Sequence, residues 1–173
     1  MRFILHISFL LLSITSNAQK SFPKDFYGFY KGDLHIVNPN GGQTIPMEFH
    51  MQATDSAHKH HYTIVYVMND TTRQEREYTL ISNEDNPSQF TIDENNGIIL
   101  TAMYSDNTLY SLFEVQGGLL TTTERFYEDH MLFEITYSTK SKALVSGGTS
   151  DEIPEVLAYP ISTIQKAKLI KQD

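Results

Sequence analysis

The chain has 173 residues, one domain's worth of material, with 13 Lys and Arg against 21 Asp and Glu and a formal net charge of −8 at pH 7. That balance excludes nucleic acid and anionic membrane surfaces as partners, because both are held by clustered basic side chains. Cysteine is absent, which excludes disulfides, thiolate metal sites, cysteine nucleophiles and lipid attachment after export.

At the N-terminus, Met1-Arg2 supplies a positive charge, residues 3–12 an apolar stretch, and Ser16-Asn17-Ala18 a small-x-small cleavage signal before Gln19. Residues 1–18 therefore read as a signal peptide cleaved near Ala18-Gln19. Residues 19–173 read as a single domain, secreted or periplasmic after cleavage. The apolar stretch falls short of the ~20 residues a membrane span needs, and no span is expected elsewhere.

From Phe26 onward the pattern has period two. Ten strands are predicted, at about 26–37, 44–53, 58–68, 73–82, 89–93, 98–104, 108–116, 119–128, 131–139 and 156–170. In the second, Ile45, Met47, Phe49 and Met51 fall on one face and Pro46, Glu48 and His50 on the other. The same alternation recurs at Leu109-Ser111-Phe113-Val115 and at Met131-Phe133-Ile135-Tyr137. Between the runs stand turn residues, among them Asn38-Pro39-Asn40-Gly41-Gly42, Asn95-Asn96-Gly97, Asp106-Asn107 and Gly117-Gly118. Short consecutive connections imply antiparallel, up-and-down pairing. Closure into a barrel removes exposed edges and is preferred here over a two-layer sandwich. The irregular stretch 140–155 reads as a mobile or functional segment able to cover one end. The last strand contains Pro160 and reads as a bent edge or closing strand.

Turn positions suggest registers. A turn at Thr54-Asp55-Ser56-Ala57 sets Met51 against His60, Phe49 against Tyr62 and His50 against His61. A two-residue turn at Asp129-His130 sets Phe126 against Phe133, Glu124 against Ile135 and Arg125 against Glu134. Glu124 then points inward among apolar side chains, where an ionised carboxylate is costly unless paired or hydrated. The loop around residues 69–72 leaves open which face Arg76 takes. An inward Arg76 faces Tyr66 and meets Glu124 across the interior.

Few motifs carry chemistry. His50 and His61, if directly opposite, have the spacing to share Zn²⁺ or Cu²⁺, but a polar outer face explains them better, and no metal residue is assigned. Asp93-Glu94-Asn95-Asn96-Gly97 lacks the spacing and closing Glu of a calcium loop and reads as a hairpin turn. Asn69-Asp70-Thr71 is a glycosylation sequon of little weight. Gly-x-Ser-x-Gly is absent, and nothing in the spacing assembles a nucleophilic triad.

The opening run Phe26-Tyr27-Gly28-Phe29-Tyr30-Lys31-Gly32 resembles the Gly-x-aromatic start of calycins, the superfamily of lipocalins, fatty-acid-binding proteins and avidins. The resemblance implies an all-β, antiparallel up-and-down barrel whose open end admits a small, usually apolar molecule. The run 92–98, Phe133-Glu134-Ile135 and Gln165-Lys166-Ala167-Lys168-Leu169 are similar to exported proteins of Bacteroidetes-type bacteria, which implies the compartment. Nitrobindin-like haem barrels start similarly but carry a ligating His on a late strand. Here the strands from Leu119 onward hold only His130, in a turn, and no cofactor is expected.

The expected partner is a small apolar or amphipathic molecule in the barrel interior. Tyr30, Phe49, Met51, Tyr62, Tyr66, Arg76, Phe113, Phe133 and Tyr137 are expected to line it, with Glu124 orienting a polar group. Met47, Met51 and Met68 supply adaptable walls. Two readings stand behind this one: a filled barrel used through its acidic surface, and a secreted enzyme using Glu124 as acid or base. No catalytic residue is assigned.

Overall fold

Alternating side chains make each strand a wall with one wet and one dry face, and ten such strands close on themselves. The computed structural model describes residues 21–69 and 72–173. The presumed leader and part of the sequon at Asn69 lie outside the described residues. The barrel strands are β1 (Gly28–Asn38), β2 (Gly41–Ala53), β3 (Lys59–Asn69), β4 (Thr72–Ser82), β5 (Gln89–Asp93), β6 (Ile99–Ser105), β7 (Thr108–Val115), β8 (Gly118–Phe126), β9 (His130–Thr139) and β12 (Ile161–Lys171). Each of β1 to β9 pairs antiparallel with the next, and β12 closes the barrel between β9 and β1. The fold is therefore an all-β, ten-stranded up-and-down barrel of calycin-like form.

Two glycines let strands approach closely. A Cβ on Gly32 would collide with the Lys168 carbonyl and the Leu169 side chain across the β1–β12 seam. The ladder lapses there, between the pairs Lys31–Ile170 and Leu34–Ala167. A Cβ on Gly118 would collide with the Tyr137 ring, which lies flat over that bare position.

Both proposed registers are corrected by two residues. Met51 faces Tyr62, Phe49 faces Ile64, and His50 faces Thr63, while His61 faces Gln52. Glu124 faces Phe133, Phe126 faces Met131, and Arg125 faces Leu132. In the first case the connection is longer than the four residues assumed. In the second the turn is centred on Glu128 and Asp129. A slip of two keeps every side chain on its face. It does separate His50 from His61 and Arg125 from Glu134, which instead pairs with Lys166 at 3.0 Å.

The predicted final strand is also corrected. Tyr159-Pro160 divides it, because proline offers no ladder donor. Its first part, β11 (Val156–Ala158), leaves the barrel and pairs with β10 (Leu144–Ser146), inside the stretch read as irregular. This ribbon leaves the barrel end where β9 stops and β12 begins. Leu144, Val145, Val156 and Leu157 are all exposed on it.

The opposite end is plugged. Residues 21–27 run across it, with a 3-10 turn at Lys24–Phe26. Phe22 stacks on Tyr104 at 4.1 Å and meets Phe90 edge-on at 5.1 Å. Phe26 lies 5.4 Å from Phe126, and the Tyr30 hydroxyl donates to the Phe26 carbonyl at 2.6 Å. Tyr30, Leu34, Met47, Phe49, Met51, Met131 and Leu169 complete a solid core along β1, β2, β9 and β12.

Candidate functional site: a half-hollow barrel

Away from the plug the interior is hollow. A cavity of about 440 Å³ lies between β3 and β9 and is bounded at the rim by Glu94, Ile98, Glu114 and Val115. Among the described residues none from β1, β2 or β12 lines it. Ile64, Ile92, Leu100, Leu120 and Ile135 form an apolar wall, with aromatic surface from Tyr62, Tyr66, Tyr78, Phe113 and Phe133.

Glu124 stands at the cavity's inner surface. Alternation along β8 turns it inward together with Phe126, and the flanking Arg125 outward. Only 1% of it is exposed. The Tyr62 hydroxyl donates to its Oε1 at 2.6 Å, whereas Oε2 has no hydrogen-bond partner among the described residues. Burial raises its pKa from 4.5 to about 7, with the Tyr62 hydrogen bond pulling the other way. Burial likewise pushes the Tyr62 hydroxyl well above its usual value, and the nearby Glu124 charge adds to the effect. Among the described residues Ser111 is the second buried polar side chain without a partner, and it lines the same cavity from β7.

The structure brings together Tyr62, Tyr66, Arg76, Phe113, Glu124 and Phe133 around this space. It places Tyr30, Phe49 and Met51 in the solid core instead. Tyr137 covers Gly118 outside the cavity lining, and Met68 is exposed at the end of β3. Arg76 takes the inward-facing parity of β4 but does not meet Glu124. Its guanidinium lies over the Tyr66 ring, 5.2 Å from the centroid, near the mouth. Its positive charge opposes the rise that burial imposes on the Tyr78 hydroxyl's pKa. The expected Arg76–Glu124 pair is thus replaced by contacts with tyrosines nearer the rim. Ser111 and Tyr78 went unnamed as site residues. A small polar residue within Leu109-Ser111-Phe113 was the signal for the first, while Tyr78 depended on the unsettled face of β4.

Other constellations resolve into local structure. Glu48, on the outer face, accepts from both terminal nitrogens of Arg73, at 2.9 and 3.2 Å, and contacts His50 at 3.0 Å and Lys31 at 3.3 Å. The Arg73 hydrogen bond leads in lowering the Glu48 pKa to about 2. His60 is buried between the Tyr27 hydroxyl at 2.7 Å and Ser82 Oγ at 3.0 Å. Burial lowers its pKa. That is the arrangement of a satisfied interior histidine. Asp93 and Asn96 accept backbone N–H groups within their own turn. Among the described residues, no three His, Cys, Asp or Glu side chains are grouped to hold a metal ion. A larger groove of about 680 Å³ crosses the outer face of β5 to β8, floored by Thr101, Met103, Tyr110, Leu112 and Thr121.

No family model matches the chain, and no curated protein matches it significantly. Solved structures do share its fold. An S-type phycobiliprotein lyase, CPES, from Guillardia theta superposes with a TM-score of 0.59 at 7% identity, covering 87% of this chain and 90% of the lyase. A protein of unknown function from the DUF3598 family of Nostoc punctiforme superposes with a TM-score of 0.61 at 8% identity. It covers 86% of this chain, which spans 48% of that larger protein. At such identities the likeness concerns the barrel alone.

Proposed function

We propose that this chain is an exported binding protein that holds a small, partly apolar molecule in the hollow part of its barrel. The observation that carries the reading is the pairing of a 440 Å³ cavity with a buried carboxylate oxygen that the protein leaves unpartnered. Buried polar groups are ordinarily satisfied, and an exception facing a cavity marks where a guest's polar group belongs. The apolar wall supplies affinity through water exclusion, and Glu124 supplies orientation. A barrel of the same form in a phycobiliprotein lyase is compatible with a molecule handled in its interior. Export rests on the sequence of residues 1–18, and the mature chain then begins at Gln19.

Native mass spectrometry of the protein purified from its source, together with uptake of the apolar fluorophore N-phenyl-1-naphthylamine, tests the proposal. Wild-type protein is expected to retain a small molecule or take up the fluorophore. Leu120→Trp, which fills the cavity from β8, is expected to abolish both while remaining folded. A wild-type protein that neither carries a guest nor takes up the fluorophore overturns the reading. Retention of the leader on the exported chain overturns its processing at Ala18.

A further inference from the structure

The cavity has a polarity of its own at its inner end. Glu124 Oε2 and Ser111 Oγ are the two buried side-chain polar atoms that the described structure leaves without partners, and both belong to residues lining this space. The register pairs Leu109 with Glu124 and Ser111 with Thr122, so Ser111 and Glu124 are diagonal neighbours on adjoining strands. Such positions lie roughly 7–8 Å apart at the backbone, so their inward side chains share one stretch of the cavity wall. An ionised carboxylate only accepts hydrogen bonds, and a hydroxyl accepts as readily as it donates. The rings of Tyr62 and Tyr78 stand nearly parallel beside them, 20° apart with centroids at 6.1 Å. At the mouth the Arg76 guanidinium is laid over Tyr66, near Glu94 and a Glu114 that is paired with Lys140.

We propose that the cavity selects an apolar amine, inserted nitrogen first, which donates N–H groups to Glu124 Oε2 and Ser111 Oγ and lays its hydrocarbon body along Ile64, Ile92 and Leu120. This rests on the interior being a binding site and adds the chemistry of the head group. A carboxylate entering the same way meets the like charge of Glu124. An alcohol donates to Glu124 and accepts from Ser111 but leaves the Glu124 charge uncompensated. A primary ammonium offers three donors, neutralises that charge and faces aromatic rings that attract cations.

Three probes of equal length separate the head groups: n-octylamine, n-octanol and octanoate, titrated calorimetrically at pH 8 against the full mature chain. Wild type is expected to bind octylamine at least tenfold more tightly than octanol, with octanoate weakest. Glu124→Gln is expected to lose that preference while keeping the near-UV circular dichroism of wild type, which reports an intact barrel. Ser111→Ala, which keeps the carboxylate, is expected to weaken octylamine several-fold without removing its preference over octanol. Octanol or octanoate binding to wild type as tightly as octylamine overturns the amine assignment and leaves the binding site standing. So does octylamine binding undiminished by both substitutions. Failure of all three probes to bind wild type overturns the binding site itself, and the amine assignment with it.

Discussion

The plugged end and the hollow end of this barrel are written in the same alternating pattern, yet one is solid and the other open. At the plug, the short segment before β1 adds Phe22 and Phe26 to inward aromatics that already meet in the middle. At the rim, the inward residues of β3 to β9 face one another across the cavity, and two polar atoms among the described residues are left over. Alternation decides which side chains point inward. Whether they touch depends on what else enters the tube.

The comparison breaks most visibly at Phe126, which is fully buried and meets Phe22, Phe26, Tyr30 and Phe49. Phe126→Ala is expected to cost about 3–5 kcal/mol in urea unfolding. If the two ends are separate in role, N-phenyl-1-naphthylamine uptake survives in the fraction that remains folded.

At the hollow end the largest effect is one of pH. The unfolded chain loses the Glu124 proton near 4.5, whereas the folded chain holds it until about 7. Between those values the folded state binds more protons, so its stability falls as the pH rises from 4.5 through 7. The cumulative loss is on the order of 3 kcal/mol. Glu124→Gln is expected to remove that slope, so denaturation midpoints of variant and wild type diverge at pH 8 in the variant's favour and converge near pH 4.5. Parallel pH profiles would show the carboxyl to be better solvated than its place inside the barrel implies.

A carboxylate on the outer face behaves in the opposite sense. Glu48 has a lowered pKa, chiefly through Arg73, and its contribution is present above 4.5 and lost as the pH falls toward 2. Glu48→Gln is therefore expected to lower the Tm modestly at pH 7 and not at pH 2. This sharpens the contrast between a carboxylate whose partners were built in and one left wanting a partner. The smallest effect concerns a rim turn. Gln116 holds a φ of 50°, where Asn is more at ease. Gln116→Asn is expected to gain roughly 0.5–1 kcal/mol, without altering probe affinity at the cavity.

Much of this architecture was legible in the sequence, because facing survives errors that register does not. Both assumed hairpins slipped by two residues, and Glu124 still emerged inside. Turn composition left loop length open, so Thr63 rather than His61 stands against His50. The division into solid and hollow parts could not be read from periodicity, since Phe49 and Met51 alternate just as Tyr62 and Tyr66 do. Only contacts between residues far apart in sequence set them apart. The plug was missed for the same reason, because Phe22 precedes the first alternating run and has no local pattern to declare it. The ribbon of β10 and β11 was hidden by Ser146-Gly147-Gly148, which reads as loop whether or not its flanks pair.

The seam between the first and last strands bears on how the molecule assembles. Tyr30 lies opposite Lys171, and Leu34 opposite Ala167. Every other pairing in the barrel except that of β9 with β12 joins strands adjacent in sequence, so nine strands can zip up progressively as an open, curled sheet. The final join waits for residues 161–171 and carries the largest loop-closure entropy of any contact in the molecule. Until it forms, β1 and β9 each present a bare edge to neighbouring molecules. A synthesis arrested before Ile161 would leave a sticky, unclosed sheet, whereas the same chain eleven residues longer closes its barrel edges on each other.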